Sequence, residues 1–246
     1  MKIIKLGGSV ITRKEKYRKL NRDAIVNLCS AISSIKEPTI LIHGAGSFGH
    51  LLALKYGLDT PGPIEGKEKE VSRVMADVLS LDSILVDELN RHGIKAVAVP
   101  PHVVYTSSKP DFKSVEKIVE SGFVPVLYGD IIFDDGRYRI LSGDDIALDL
   151  SIKYRPDSVI FLTDVDGLFT LDPKKFPDAK LIRKIKAEEI VVNGPKGDAT
   201  GSMAGKMEKI KKMVLYTKKV LIVNGLNQRT LENWTRGRRF VGTVIT

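Results

Sequence analysis

Short, unbroken apolar runs alternate along the chain with longer stretches in which apolar residues recur every three or four positions. The runs fall at Lys2–Leu6, Thr39–His43, Lys95–Val99, Val124–Tyr128, Ser158–Thr163, Lys219–Val223 and Val241–Ile245. Their continuity predicts strands buried on both faces. Between the first two, Asn21–Ser34 sets Ala24, Ile25, Leu28 and Ile32 on one helical face. Glu68–Arg91 repeats that spacing with Val71, Val74, Met75, Val78, Leu85 and Leu89, and stops at Gly93. The alternation predicts an α/β fold with a mostly parallel sheet covered by helices on both faces. One segment departs from it. Ile131-Ile132-Phe133, the turn residues Asp134-Asp135-Gly136 and Arg137–Leu141 predict a β-hairpin, which serves either as a lid or pocket wall or as plain surface structure.

Size and composition narrow this picture. A chain of 246 residues with 43% hydrophobic content is one large α/β domain or two small lobes, with a substantial core. The lone cysteine, Cys29, cannot form an internal disulfide and fits a reducing compartment; its helical position makes it buried filler. The first residues, Met1–Leu6, lack the apolar core of a signal peptide, and no run approaches the roughly 20 residues that span a bilayer. The expectation is a soluble, cytoplasmic protein. The net charge of +9 is spread along the chain and is densest at Arg13–Lys19, Lys206–Lys219 and Arg236–Arg239. These clusters are interleaved with acidic, apolar or glycine residues, which favours a solvated face and a small polyphosphate ligand over nucleic acid.

Glycine and acidic clusters follow the predicted strands, where ligands collect in open α/β sheets. Thr39–His43 leads into Gly44-Ala45-Gly46-Ser47-Phe48-Gly49-His50, a tight turn opening a helix. Glycines there admit close backbone approach, and the helix start points free N–H groups at an anion. His50 adds a side chain titrating near neutral pH, whereas His43, inside the strand, reads as structural. Lys5-Leu6-Gly7-Gly8-Ser9 places a lysine just before another glycine turn. Gly129-Asp130 and Ser142-Gly143-Asp144-Asp145 bracket the hairpin; their carboxylates coordinate Mg²⁺, orient a lysine or cap the following helix. Thr163-Asp164-Val165-Asp166-Gly167 lacks the twelve-residue pattern of a calcium loop and suits contact with a nucleotide. Thr200-Gly201-Ser202-Met203-Ala204-Gly205-Lys206 opens a helix running to about Thr217, but is too short for a P-loop and lacks its Ser or Thr after lysine. The absence of a strand-borne GxGxxG before an acidic residue, of a GxSxG elbow and of a zinc-type Cys/His set argues against a Rossmann dehydrogenase, a serine hydrolase and a zinc enzyme.

As an ordered set, Lys5-x-Gly-Gly-Ser9, His43-Gly-x-Gly46, Gly129-Asp130, Ser142-Gly-Asp-Asp145, Thr163-Asp-Val-Asp-Gly167 and Thr200-Gly201…Lys206 resemble the amino acid kinase superfamily. Within it, Gly46-Ser47-Phe48-Gly49-His50, Gly8-Ser9-Val10-Ile11-Thr12 and Gly242-Thr243-Val244-Ile245 look like the isopentenyl phosphate kinase family. Fosfomycin kinases resemble the same subgroup and share a comparable histidine. The resemblance implies an open αβα sandwich in one domain, with the acceptor in the part spanning about 1–155 and ATP in the part spanning about 156–246. It also implies Mg²⁺, with no metal-ligating side chain assigned, and a homodimer. It places Lys5, Lys14, His50 and Asp144 in catalysis, and Gly44, Ala45, Gly46, Gly49, His50, Gly143 and Asp144 around the acceptor isopentenyl phosphate. Lys5, Gly7, Gly8, Ser9, Ala45, Thr163, Asp164, Gly167, Gly201, Gly205 and Lys206 would serve the nucleotide. Ala45 stands where a third glycine is frequent, so its N–H reaches a ligand only if φ is negative.

That assignment fits the chemistry. A phosphomonoester is already a nucleophile, so catalysis reduces to aligning two anions and screening their repulsion. The acceptor's organic part needs apolar walls, for which Val71, Val74, Met75, Val78, Ile131 and Ile140 are available, although most of that stripe also reads as core. No group is evident for an amino-acid ammonium. The expected function is ATP-dependent phosphorylation of isopentenyl phosphate in isoprenoid biosynthesis. The rivals are another superfamily phosphotransferase, such as a fosfomycin kinase, and a non-catalytic nucleotide sensor.

Overall fold

The computed structural model describes residues 1–106, 109–190 and 203–246. Its elements are β1 (Lys2–Leu6), α1 (Gly8–Ile11), α2 (Arg22–Ser33), β2 (Thr39–His43), α3 (Gly46–Lys55), β3 (Gly62–Pro63), α4 (Glu68–Arg91), β4 (Ala96–Ala98), α5 (Pro101–Val104), α6 (Lys113–Glu120) and β5 (Val124–Tyr128). The hairpin β6 (Asp130–Asp134) and β7 (Arg137–Leu141) follows, then α7 (Gly143–Tyr154), β8 (Ser158–Thr163), β9 (Leu168–Phe169), β10 (Leu181–Ile182), β11 (Lys184–Ile185), α8 (Met203–Val214), β12 (Val220–Asn224), α9 (Gln228–Thr235) and β13 (Gly242–Ile245). Eight strands form one sheet in the order β11-β13-β12-β8-β1-β2-β5-β4. All its pairs are parallel except β12 with β13.

The period-two alternation of the central strands sorts side chains between two cores. Ile4 and Leu6 of β1, Leu41 of β2 and Ile160 of β8 pack with Leu28 of α2, Leu81 and Leu85 of α4 and Trp234 of α9. Ile3, Ile40, Ile42 and Phe161 face the other way, onto Val115 of α6, Ile146 and Leu150 of α7 and Ile210 of α8. Lys5 continues the Ile3 row, so β1 carries a lysine toward α7. The predicted sandwich is therefore observed. Cys29 is buried in the first core, and burial pushes its thiol up to about 12.

Several element boundaries move. Only Ala96–Ala98 of the Lys95–Val99 run is strand, the Lys219 strand spans Val220–Asn224, and the helix expected to reach Thr217 ends at Val214. The hairpin pairs with Gly62–Pro63 in a separate three-stranded sheet. With α3 and α4 it encloses a third apolar cluster that includes Leu52, Val71, Val74, Val78, Tyr128, Ile131 and Tyr138. The hairpin is thus a wall over α4 rather than plain surface structure. Among the described residues no helix is long and apolar enough to cross a membrane.

Candidate active site

Parallel register brings the strand ends to one edge. Leu6 lies beside His43 and Leu162, His43 beside Tyr128, and Thr163 beside Asn224. The chain leaves β1 for β2 on one side and later for β8 on the other, which opens a crevice at this edge. Two glycine turns meet there. A Cβ on Gly8 would lie 2.7 Å from the Gly46 Cα and backbone N, and one on Gly44 would lie 3.0 Å from the Gly8 N. Gly46 has φ +51°, in the left-handed region that favours glycine. Thr12 stitches the turns together: its hydroxyl donates to the Gly8 carbonyl at 2.7 Å and accepts from the Ser47 N–H at 2.9 Å. Ala45 has φ −62°, the negative value its proposed N–H contact requires. The starts of α1 and α3 thus stand side by side, with N–H groups that their own helices cannot use.

Lys5 reaches from β1 into this crevice and pairs with Asp144 at the start of α7, both almost fully buried. Gly143 makes room, since a Cβ there would sit 3.0 Å from the Lys5 Cε. Burial opposes ionisation of Asp144, but Lys5, Lys206 and Lys209 outweigh it and hold the carboxyl below its usual range. Lys206, half-buried on α8, has the opposite problem. Burial and repulsion from Lys5 and Lys14 lower it to about 8, although Asp144 and Asp164 pull the other way. His50, on α3, opens to solvent yet sits in the same field. Lost hydration in the crevice, then Lys5 and Lys14, hold its pKa below the ordinary histidine value. Lys5, Lys14, Lys206, His50 and Asp144 therefore share one electrostatic environment.

The predicted nucleotide residues join the same edge. Ser9 donates to Asp164 Oδ1 at 3.0 Å, and Lys174 pairs with Asp164 Oδ2 at 2.6 Å. Burial alone would raise the Asp164 pKa, but hydrogen bonds from Lys174 and Ser9 and the charge of Lys14 lower it. Gly167, at φ +152°, lies so close to Thr243 that a Cβ would be 2.5 Å from its Oγ1. Asn224 holds Asp166 at 2.9 Å, and Thr163 closes its own turn onto the Val165 carbonyl. Gly7 donates to the Leu162 carbonyl, which leaves no space for a Cβ. Gly205 and Lys206 lie in the first turn of α8, and Lys209 ties that helix to Asp145 at 2.7 Å. Thr200 and Gly201 lie outside the described residues.

On the acceptor side, Gly49 gives its N–H to the Ala45 carbonyl, and its bare Cα lets α3 approach Val78 of α4. Met75 and Ile140 remain half-buried where Val71, Val74, Val78 and Ile131 are buried, so these two keep surface free within the apolar cluster. His43 is fully buried, stacked on Tyr128 and 3.2 Å from Asp82 on α4, as a structural histidine should be. Asp130 is buried with a hydrogen bond from the Ile131 N–H, and burial raises its carboxyl to about 7. In the folded chain it therefore binds protons that the unfolded chain has released, and folding loses stability as pH rises from about 4 to about 7. Asp130→Asn should accordingly stabilise the protein by an amount that grows from pH 5 to pH 7 and levels off above. Melting temperatures across that range test this; a pH-independent gain would contradict it.

Several residues here received no role from the sequence. Thr12 and Thr243 enter only as members of the family-like segments Gly8–Thr12 and Gly242–Ile245, and Lys174 and Asn224 carry no signal at all. Lys174, Asn224 and Thr243 reach the Asp164–Gly167 loop from remote segments. Asp82, buried under the His43 turn with Oδ2 unpartnered among the described residues, is hidden inside the apolar pattern of α4.

The fold and crevice define an α/β phosphotransferase, and comparison with known proteins gives the same class. Residues 1–224 match the model of the amino acid kinase family. The chain is 37% identical to the isopentenyl phosphate kinase of Thermoplasma acidophilum, covering 100% of both chains. It is 34% identical to that of Methanothermobacter thermautotrophicus, covering 100% of this chain and 99% of the relative. A crystal structure of an isopentenyl phosphate kinase substrate complex superposes with a TM-score of 0.88 at 35% identity over 100% of both chains. The chain belongs to the amino acid kinase family, in its isopentenyl phosphate kinase branch.

Proposed function

We propose that this chain transfers the γ-phosphoryl group of ATP to the phosphate of isopentenyl phosphate, giving isopentenyl diphosphate and ADP. The observation that carries this reading is the gathering of Lys5, Lys14 and Lys206 on one crevice, where burial first, and then repulsion from Lys5 and Lys14, lowers the Lys206 ammonium to about 8. A crevice that gathers cations at this cost is built for a ligand bringing several negative charges, and two anions approaching in line supply them. The N–H groups of Gly8, Ser9, Ala45 and Gly46 would hold phosphate oxygens, and Lys5, aimed by Asp144, would follow the transferring group. His50, whose pKa is held below the ordinary histidine value, would donate one N–H of its uncharged ring to the acceptor phosphate. Asp164, Gly167, Gly205, Lys206 and, beyond the described residues, Gly201 would serve ATP, while Met75 and Ile140 face the isoprenoid tail.

Among the described residues no three His, Cys, Asp or Glu side chains gather into a metal cage, and Asp144 and Asp164 are both engaged by lysines. That donor set suits Mg²⁺ carried in by ATP phosphate oxygens and water, where it would neutralise charge on the β- and γ-phosphates. The same proposal includes a cytoplasmic homodimer. ATP turnover assayed in parallel with isopentenyl phosphate, fosfomycin, carbamate and acetylglutamate tests the acceptor. Turnover should be highest with isopentenyl phosphate; tight ATP binding without turnover on any of them would identify a sensor instead.

A further inference from the structure

Lys14 acts on the crevice charges, yet no hydrogen bond or ion pair ties its side chain to the other described residues. Its placement therefore depends on the backbone that carries it. That backbone is a short turn closed by the Thr12–Leu20 bridge and by the Arg13 N–H donating to the Lys19 carbonyl at 2.8 Å. The far side of the turn is strapped to α4, with one buried carboxylate at the centre of the contacts. Asp77 is 2% exposed and accepts from the Tyr17 hydroxyl and from Arg18 at 3.2 Å, while Arg73 lies at 3.3 Å. Arg73 also donates to the Tyr17 hydroxyl at 3.0 Å, and Arg18 reaches Ser80 at 2.9 Å. Arg18 holds φ +52°, a left-handed conformation that a non-glycine residue adopts at a cost. Its N–H and that of Lys19 bind Ser47, in the first turn of α3 beside the acceptor glycines.

We infer that Asp77 is a positioning residue for phosphoryl transfer: by clamping Tyr17 and Arg18 to α4 it fixes the turn that presents Lys14 to the reacting phosphates. The inference rests on the proposed catalytic role of Lys14. A buried carboxylate with three donors has one arrangement that satisfies it, which makes the clamp directional. An Asn side chain keeps the shape but loses the charge and one acceptor, so the turn loosens without losing its core packing.

The test is steady-state kinetics of the full-length chain with ATP and isopentenyl phosphate, for Asp77→Asn, Lys14→Ala and the double variant. Asp77→Asn should lower kcat about tenfold, as small misplacements of a catalytic group do, with the KM for ATP little changed. In the Lys14→Ala background the same substitution should have no further effect. Tyr17→Phe, which removes one strap and leaves the buried charge, should shift kcat the same way by less and covers the case in which Asp77→Asn does not fold. Unchanged kcat in these clamp variants, with Lys14→Ala slow, would overturn the inference alone. Independent, multiplying losses in the double variant would also overturn it. Full turnover by Lys14→Ala would instead remove Lys14 from the mechanism, and the clamp's role with it.

Discussion

Lys5→Ala should lower kcat by roughly 10²–10³ while moving the KM for ATP little, because a charge that follows the transferring group counts mainly in the transition state. The geometry makes this a two-part effect. Lys5 lies 8% exposed on the α7-facing row of β1 and pairs with Asp144, itself 7% exposed. Removing the ammonium leaves a buried carboxylate without its nearest partner, and breaking such a pair costs about 3–5 kcal/mol. The loss of rate must therefore be separated from a loss of stability. Asp144→Asn added to Lys5→Ala removes the orphaned charge and should restore much of the melting temperature without restoring kcat. A single variant with normal kcat would take Lys5 out of the mechanism. A double variant that recovers turnover would show that Lys5 served only to neutralise Asp144.

What could be read from the sequence follows the range of each interaction. The strands and the two long helices declare themselves through local periodicity, and only the short edge strand at Ala96–Ala98 came out two residues shorter than its apolar run. The glycine turns, His50 and Asp164 are legible because they follow strand ends, with Lys5 one residue short of such an end, and parallel pairing brings these ends to one edge whatever joins them. Asp144 stands out through the acidic cluster that follows the hairpin. Contacts made by ordinary polar residues between remote segments are not legible. Tyr17 meets Asp77 across 60 positions, and Asn224 meets Asp166 across 58. Asp77 and Asp82 look like the polar face of an amphipathic helix, yet α4 turns both inward, onto the Lys14 turn and onto His43. Periodicity assigns faces; it cannot say which polar residue on a face has a buried partner.

His50→Ala should leave the KM for ATP nearly unchanged and lower kcat/KM for isopentenyl phosphate by roughly 10- to 150-fold, the worth of about 1.5–3 kcal/mol for a hydrogen bond to a charged group. The pH profile states which proton does this. Lost hydration and the charges of Lys5 and Lys14 hold His50 below its ordinary value of 6.5 in the free protein. Since kcat/KM reports the free enzyme, the shift favours the neutral ring at pH 7, and with that form at work His50 contributes no falling limb from pH 7 to pH 8. His50→Gln, which keeps a donor but cannot titrate, should then recover part of the loss and retain the wild-type shape over that interval. A wild-type fall approaching tenfold per pH unit above 6.5, absent in His50→Gln, would mean that imidazolium is the working form. In that case the acceptor would be drawn in by charge, and the neutral donor proposed here would be wrong. Equal losses for ATP and for isopentenyl phosphate in His50→Ala would contradict its placement on the acceptor side altogether.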